Sequence, residues 1–187
     1  MPAPDRIAAL LARDIAAITR ELLDGGTAAN WERRMLDAIA RGHAAAAIAG
    51  TAERLGVTAG SKLLNERNLS RAERDEIRRA VAGQVPYLRG FAADVAAGRL
   101  SDAQIAARAG LYAGATRATY YRGRWAGWDL RGLPIPTDGG TSCVSNCKCV
   151  AYVENGRWIY ELTTAEHCPE CLSRAAKSPY QLQRLAA

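Results

Sequence analysis

Five cysteines, Cys143, Cys147, Cys149, Cys168 and Cys171, crowd into the last third of this 187-residue chain, and no cysteine precedes them. Their spacing is C-x3-C-x-C, then 18 residues, then C-x2-C. A pair of thiolates two residues apart, followed by a tight turn, chelates one zinc ion, and a second pair across a hairpin completes the tetrahedron. The reading is one structural zinc. Five thiols and His167 compete for four positions. The spacing favours Cys143 or Cys147 together with Cys149, Cys168 and Cys171. Cys147 and Cys149 fall on the same face of a strand and can also both bind, which would leave Cys143 spare. Disulfides, an iron–sulfur cluster and redox thiols are the other uses of such a set. The start, Met1-Pro2-Ala3-Pro4-Asp5, lacks the basic residues and apolar run of a secretory signal, so the thiols are expected to stay reduced and available to a metal. A four-thiolate site has no open position and points to structure rather than catalysis.

Other chemistry is sparse. His43 sits in an Ala-rich helical run and reads as a helix-face or buried histidine, and His167 reads as a ligand or a neighbour of Cys168. Neither has a nucleophile or carboxylate at recognisable spacing, and phosphate-loop and dinucleotide patterns are missing, so no enzyme is expected. The segment from Tyr120 to Trp128 interleaves arginines with large aromatics. On a helix, Tyr121, Trp125 and Trp128 share a face while Arg122 and Arg124 point elsewhere. These residues either anchor the helix end against the metal module or form a docking surface for a protein partner or DNA backbone.

The elements that must position these residues are mostly helices. Nearly half of the residues are apolar but only one is Phe, and the apolar character comes from Ala and Leu, which favours helix. A first helix is predicted from an Asp5 cap to Gly25-Gly26, burying Ile7, Leu10, Leu11, Ile18 and Leu22. A second runs from about Ala28 to Leu55, where the small residues Ala44 to Ala49 admit a close helix neighbour. A looser connection follows through Gly60-Ser61 to Asn68. Ser70-Arg71-Ala72-Glu73 and Ser101-Asp102-Ala103-Gln104 are capping boxes. The first opens a helix to about Gln84 that Pro86 breaks or kinks before it resumes to Ala97. The second opens a long helix to roughly Trp128, antiparallel to the one before. The run from Leu130 to Gly140 holds two prolines and three glycines and marks a boundary. The organisation expected is a helical body over 1–128, a Pro/Gly linker over 129–142 and a cysteine-rich metal module over 143–187. Within the module, runs at Cys149–Val153 and Arg157–Leu162 flank Asn155-Gly156, a tight hairpin turn. Pairing Glu154 with Arg157 then puts both cysteine groups at the open end. Two strands alone lack a core, so the ion is expected to replace it. One or two short helices should end the chain, over Leu172–Ala176 and Tyr180–Leu185. The fold class is therefore mainly α: a helical body followed by a small C-terminal zinc-binding β-hairpin module.

No stretch approaches the roughly 20 apolar residues of a membrane-spanning helix. Residues 1–128 hold 19 Lys/Arg against 13 Asp/Glu, and residues 129–187 hold six of each, so the helical body carries the whole net charge. That excess either keeps the protein in solution or faces an acidic partner or DNA.

From Tyr112-Ala113-Gly114-Ala115-Thr116-Arg117-Ala118 through Asp138-Gly139-Gly140-Thr141-Ser142-Cys143, Asn146-Cys147-Lys148-Cys149 and His167-Cys168-Pro169-Glu170-Cys171, the chain resembles the minor head, or head-morphogenesis, proteins of tailed phages and prophages. It is similar to the Mu F-like group, in which a helical body leads to a cysteine module with an Asn-Cys-Arg-Cys element, here Asn146-Cys147-Lys148-Cys149. In that group the C-x2-C pair precedes the element, whereas here it follows. The resemblance covers roughly residues 85–180. It implies a structural assembly protein that binds portal or capsid proteins, in a virion or host cytoplasm, with a homo-oligomer on the portal ring as one arrangement. It carries over no catalytic residue. The other reading is a zinc-ribbon nucleic-acid-binding or regulatory protein, against which the metal module is charge-neutral before thiolate ligation makes it more negative.

Overall fold

The computed structural model describes residues 3–57, 69–144, 147–163 and 165–185. The chain is mainly α, with a small antiparallel sheet at the C-terminal end. Helix α1 (Ala3–Leu23) packs on α2 (Ala28–Leu55), α2 on α3 (Arg71–Ala96), and α4 (Asp102–Gly114) chiefly on α1. The most extensive helix pair is α2 with α5 (Thr116–Arg124). Among the described residues no helix is long and apolar enough to cross a membrane.

Local signals explain most boundaries. Thr27 caps α2 by accepting from the Asn30 amide, and Gly56 ends it at φ 66°, a left-handed conformation that suits glycine. Both predicted capping boxes form, at Ser70/Glu73 and Ser101/Gln104. Glu73 also accepts from the Thr51 hydroxyl at 2.9 Å, which ties the start of α3 to α2. The expected connection around Gly60-Ser61 lies outside the described residues.

Several expectations are corrected. Helix α3 runs unbroken through Pro86. Pro86 and Ala82, the residue whose carbonyl loses its partner, are both exposed, so water can satisfy that group. The predicted helix from Ser101 to Trp128 is two helices. The Thr116 hydroxyl donates to the Ala113 carbonyl at 2.7 Å, competing with the helical ladder at the junction, and α5 stops at Arg124. Helices α3 and α4 meet where Phe91 stacks on Tyr112, but α1 is the larger neighbour of α4. Leu10 does not join the buried face of α1; it is 46% exposed, while Ile15 is fully buried.

Helix α5 reaches α2 across glycines. A Cβ on Gly50 would lie 2.2 Å from the Tyr120 carbonyl oxygen, and one on Gly123 would lie 2.8 Å from the Ala47 oxygen. The small-residue run of α2 thus admits a helix backbone at close range.

Strands β1 (Val150–Glu154) and β2 (Arg157–Glu161) form the predicted hairpin, in the predicted register of Glu154 opposite Arg157. Asn155 and Gly156 turn it with positive φ of 50° and 71°. Helix α6 (Pro169–Ala176) starts at the C-x2-C pair. The segment after it, expected to be helical, is instead strand β3 (Tyr180–Gln181), paired antiparallel to β2. The chain then reaches back to the helical body, where Trp128 bridges Arg184 and the Asp129 amide donates to the Gln183 carbonyl at 2.8 Å.

There are two main cores. Leu11, Ile15, Trp31, Met35, Ile39, Leu88, Phe91 and Tyr112 fill the space among α1 to α4. The other core joins Ala46 and Ala49 of α2, Ala118, Tyr120 and Tyr121 of α5, Ile135, and the sheet residues Ala151, Trp158 and Tyr160 with the buried cysteines. The expectation that the hairpin lacks a core is therefore corrected. The hairpin shares one with the helical body.

Candidate metal centre

The thiols meet where three pieces of chain converge: the loop after Pro136, the start of the hairpin, and the first turn of α6. Hydrogen bonds hold the two cysteine loops together. The Ser142 hydroxyl donates to Glu170 at 2.9 Å, and Arg174 spans to Asp138 at 3.0 Å and to the Gly140 carbonyl at 3.1 Å. Arg117 donates to the Cys147 carbonyl at 2.9 Å and pairs with Asp5, pinning the hairpin start to α1 and α5.

Cys171, fully buried on α6, is the hub. Its sulfur lies 3.6 Å from that of Cys143 and 3.6 Å from that of Cys147. Cys168 is 3.6 Å from Cys143. The edge of a tetrahedron of thiolates at about 2.3 Å from zinc is about 3.8 Å, so these separations suit a shared metal. The sulfurs fall into two sets whose members all lie within 4.8 Å of one another: Cys143, Cys168 and Cys171, and Cys147, Cys149 and Cys171. All five predicted cysteines are thus brought together, as free thiols. Clustered in this way, they can hold a metal ion.

His167 joins the edge of the cluster. Its Nδ1 lies 3.4 Å from Cys149 Sγ, and its Nε2 faces the Thr163 carbonyl at 2.8 Å. A carbonyl only accepts, so Nε2 carries hydrogen, and in the neutral ring Nδ1 offers a lone pair toward the thiols. Histidine ligands are commonly oriented by such an outer hydrogen bond.

Tyr160, which the sequence reading did not single out, places its hydroxyl 3.4 Å from Cys171 Sγ and 3.5 Å from Cys147 Sγ. Strand alternation could have found it, since Tyr160 is two residues from Trp158 on the core face of β2. Burial and the neighbouring thiols push its phenol pKa up, so it stays a hydrogen-bond donor. Among the described residues no Lys or Arg side chain donates to a thiol. Burial pushes Cys143 and Cys171 up to about 12, and it raises Cys149. At Cys147 burial works the same way, but the Tyr160 hydroxyl and the Cys149 amide outweigh it and the pKa falls. At Cys168 the amides of Cys171 and Cys143 likewise outweigh burial. A cation would supply the charge that a full set of thiolates requires.

The Tyr120 to Trp128 segment is used inside the molecule. Tyr121 is buried. Arg122 pairs with Glu76 and Arg124 with Glu53, and the Arg124 guanidinium lies 4.9 Å from the centre of the Trp125 ring. Trp125 meets Trp158 edge to face at 6.4 Å. Because α5 ends before it, Trp128 does not share a helix face with Tyr121; it lies under Arg184 at 4.8 Å. His43 is buried at 1% exposure, between the Thr119 hydroxyl at 2.7 Å and the Gln84 amide at 2.9 Å. It lines a cleft of about 620 Å³ with Tyr112, Arg122 and Thr137.

No protein family, curated protein or solved structure matches this chain.

Proposed function

We propose that this chain is a head-assembly protein of a tailed phage or prophage, a minor head or head-morphogenesis protein, which acts by binding other proteins and carries structural zinc. The observation that supports a structural role most strongly is the convergence of all five thiols on the buried Cys171 beside the joint between α5 and the sheet. Zinc suits a thiolate-rich set with one imidazole at its edge. The assignment to a phage head rests on the sequence resemblance over Asp138–Cys143, Asn146–Cys149 and His167–Cys171. In this reading the metal fixes the C-terminal sheet against the helical body, and the assembled surface binds portal or capsid subunits. A non-enzymatic role fits a centre whose thiols and imidazole are gathered as one ligand set, with Cys149 Sγ and His167 Nδ1 3.4 Å apart.

Nucleic-acid binding is the weaker reading. Many arginines of the basic helical body are already paired with carboxylates, including Arg78 with Asp75, Arg79 and Arg122 with Glu76, Arg108 with Asp94, and Arg124 with Glu53. Paired guanidinium groups release fewer counterions on binding a phosphate backbone. The test is co-expression with the portal and major capsid proteins of the phage or prophage that encodes this chain, followed by affinity purification. Co-purification with portal or capsid subunits is expected. Failure to bind either, together with DNA binding that weakens steeply with salt, would overturn the proposal.

A further inference from the structure

Resting on the zinc reading above, we infer that the cysteine cluster holds two metal ions rather than one, with the Cys171 thiolate bridging them. The argument is geometric. Four ligands of a single tetrahedral ion must all lie about 3.8 Å from one another. The five thiols come within 4.8 Å of one another in two triples, with no set of four among them, and Cys171 is the only member of both. It sits 3.6 Å from one thiol of each set, Cys143 and Cys147, while those two belong to different sets. The inner triple, Cys147, Cys149 and Cys171, is buried throughout. His167 stands at its edge, with Nδ1 3.4 Å from Cys149 and the ring oriented by Thr163, but it is not within 4.8 Å of all three sulfurs, so the ring must swing inward to become the fourth donor. The outer triple, Cys143, Cys168 and Cys171, has two half-buried members, so its fourth position opens to solvent.

Charge argues in the same direction. Five thiolates with two dications leave a single negative charge. One dication with four thiolates leaves two and strands a fifth thiol, and among the described residues no Lys or Arg side chain donates to a thiol, while Arg117 donates to the Cys147 carbonyl at 2.9 Å. Burying the smaller net charge costs less. The two ions also differ in access: the inner one is closed in by protein donors, and the outer one exchanges through its open position.

The test is native mass spectrometry of the full chain purified with zinc and without chelator. The chain is expected to carry two zinc ions, and Cys143→Ser, which touches only the outer triple, is expected to carry one. Zinc release to a chromogenic chelator should show two phases of equal amplitude in the wild type and only the slow phase in Cys143→Ser. Cadmium-113 NMR of the cadmium-loaded protein should give two resonances that couple through the shared sulfur. A wild type with one ion, one phase and one resonance would overturn the bridged pair while leaving structural zinc in place. A wild type with no bound zinc would overturn both.

Discussion

Gly50→Ala is the sharpest test of how α5 is held. In an exposed helix interior, Gly→Ala stabilises by up to about 1 kcal/mol. At Gly50 the new Cβ would stand 2.2 Å from the Tyr120 carbonyl oxygen and 2.7 Å from the Arg124 nitrogen, against an ordinary contact range that begins at 3.4 Å. Both obstacles are backbone atoms, so no rotamer change relieves the clash, and the helices must separate by roughly 1 Å. Overpacking of this kind costs about 1–3 kcal/mol or more, and so small a gap belongs at the upper end. The net loss should be about 2 kcal/mol, which for a chain of this size lowers Tm by about 4–8 °C. Gly83→Ala is the control. A Cβ there meets nothing within 4 Å, in the exposed middle of α3, so Tm should hold or rise by a few degrees. Thermal and urea denaturation followed by far-UV circular dichroism read both variants. If Gly50→Ala is as stable as the wild type, the close α2–α5 crossing is wrong.

Cys171→Ser should lose more bound metal and more thermal stability than Cys168→Ser, because Cys171 is buried and belongs to both thiol sets while Cys168 belongs to one; elemental analysis and calorimetry compare them. Trp158→Ala removes a fully buried side chain and its 2.8 Å hydrogen bond to the Pro134 carbonyl. It should cost about 3–5 kcal/mol and make residues 129–142 cleavable in limited proteolysis. Burial holds His43 down at about 4, against 6.5 for the free side chain, with the Arg122 charge adding to the effect. The unfolded chain therefore takes up this proton first, and the contribution of His43 to stability is complete above pH 6.5 and lost as pH falls toward 4. The loss is on the order of 3 kcal/mol across that window. Denaturation midpoints measured from pH 7 to pH 4 should fall more steeply in the wild type than in His43→Gln.

What was legible in the sequence was local chemistry. Two Ser-led capping boxes, an Asn-Gly turn and an alanine-rich helix face each act over a few residues, and the structure bears them out; of the cysteine spacing it bears out the clustering that can hold a metal ion. The misjudged features depend on distant partners or on solvent. Pro86 reads as a breaker, but its exposed face lets the helix continue. Tyr180 and Gln181 become a strand only because β2 offers an edge to pair with. Leu10 carries an apolar side chain with no neighbour to bury it. Read alone, the hairpin depends on the ion for want of a core, yet Trp158 and Tyr160 join one buried cluster with Tyr120 and Tyr121 of α5 and the small residues of α2. Cys168→Ser should therefore weaken the C-terminal sheet rather than unfold residues 143–175 outright. Cys171 as the hub and Tyr160 as its hydroxyl neighbour were also out of reach, because both depend on how α6 lies across β2.

The most direct test of metal binding by the thiols is X-ray absorption at the zinc edge on the protein as purified. A first shell dominated by sulfur near 2.3 Å, with a minor nitrogen contribution from His167, is the predicted result. A zinc edge with only oxygen and nitrogen neighbours, or no zinc edge at all, would contradict it.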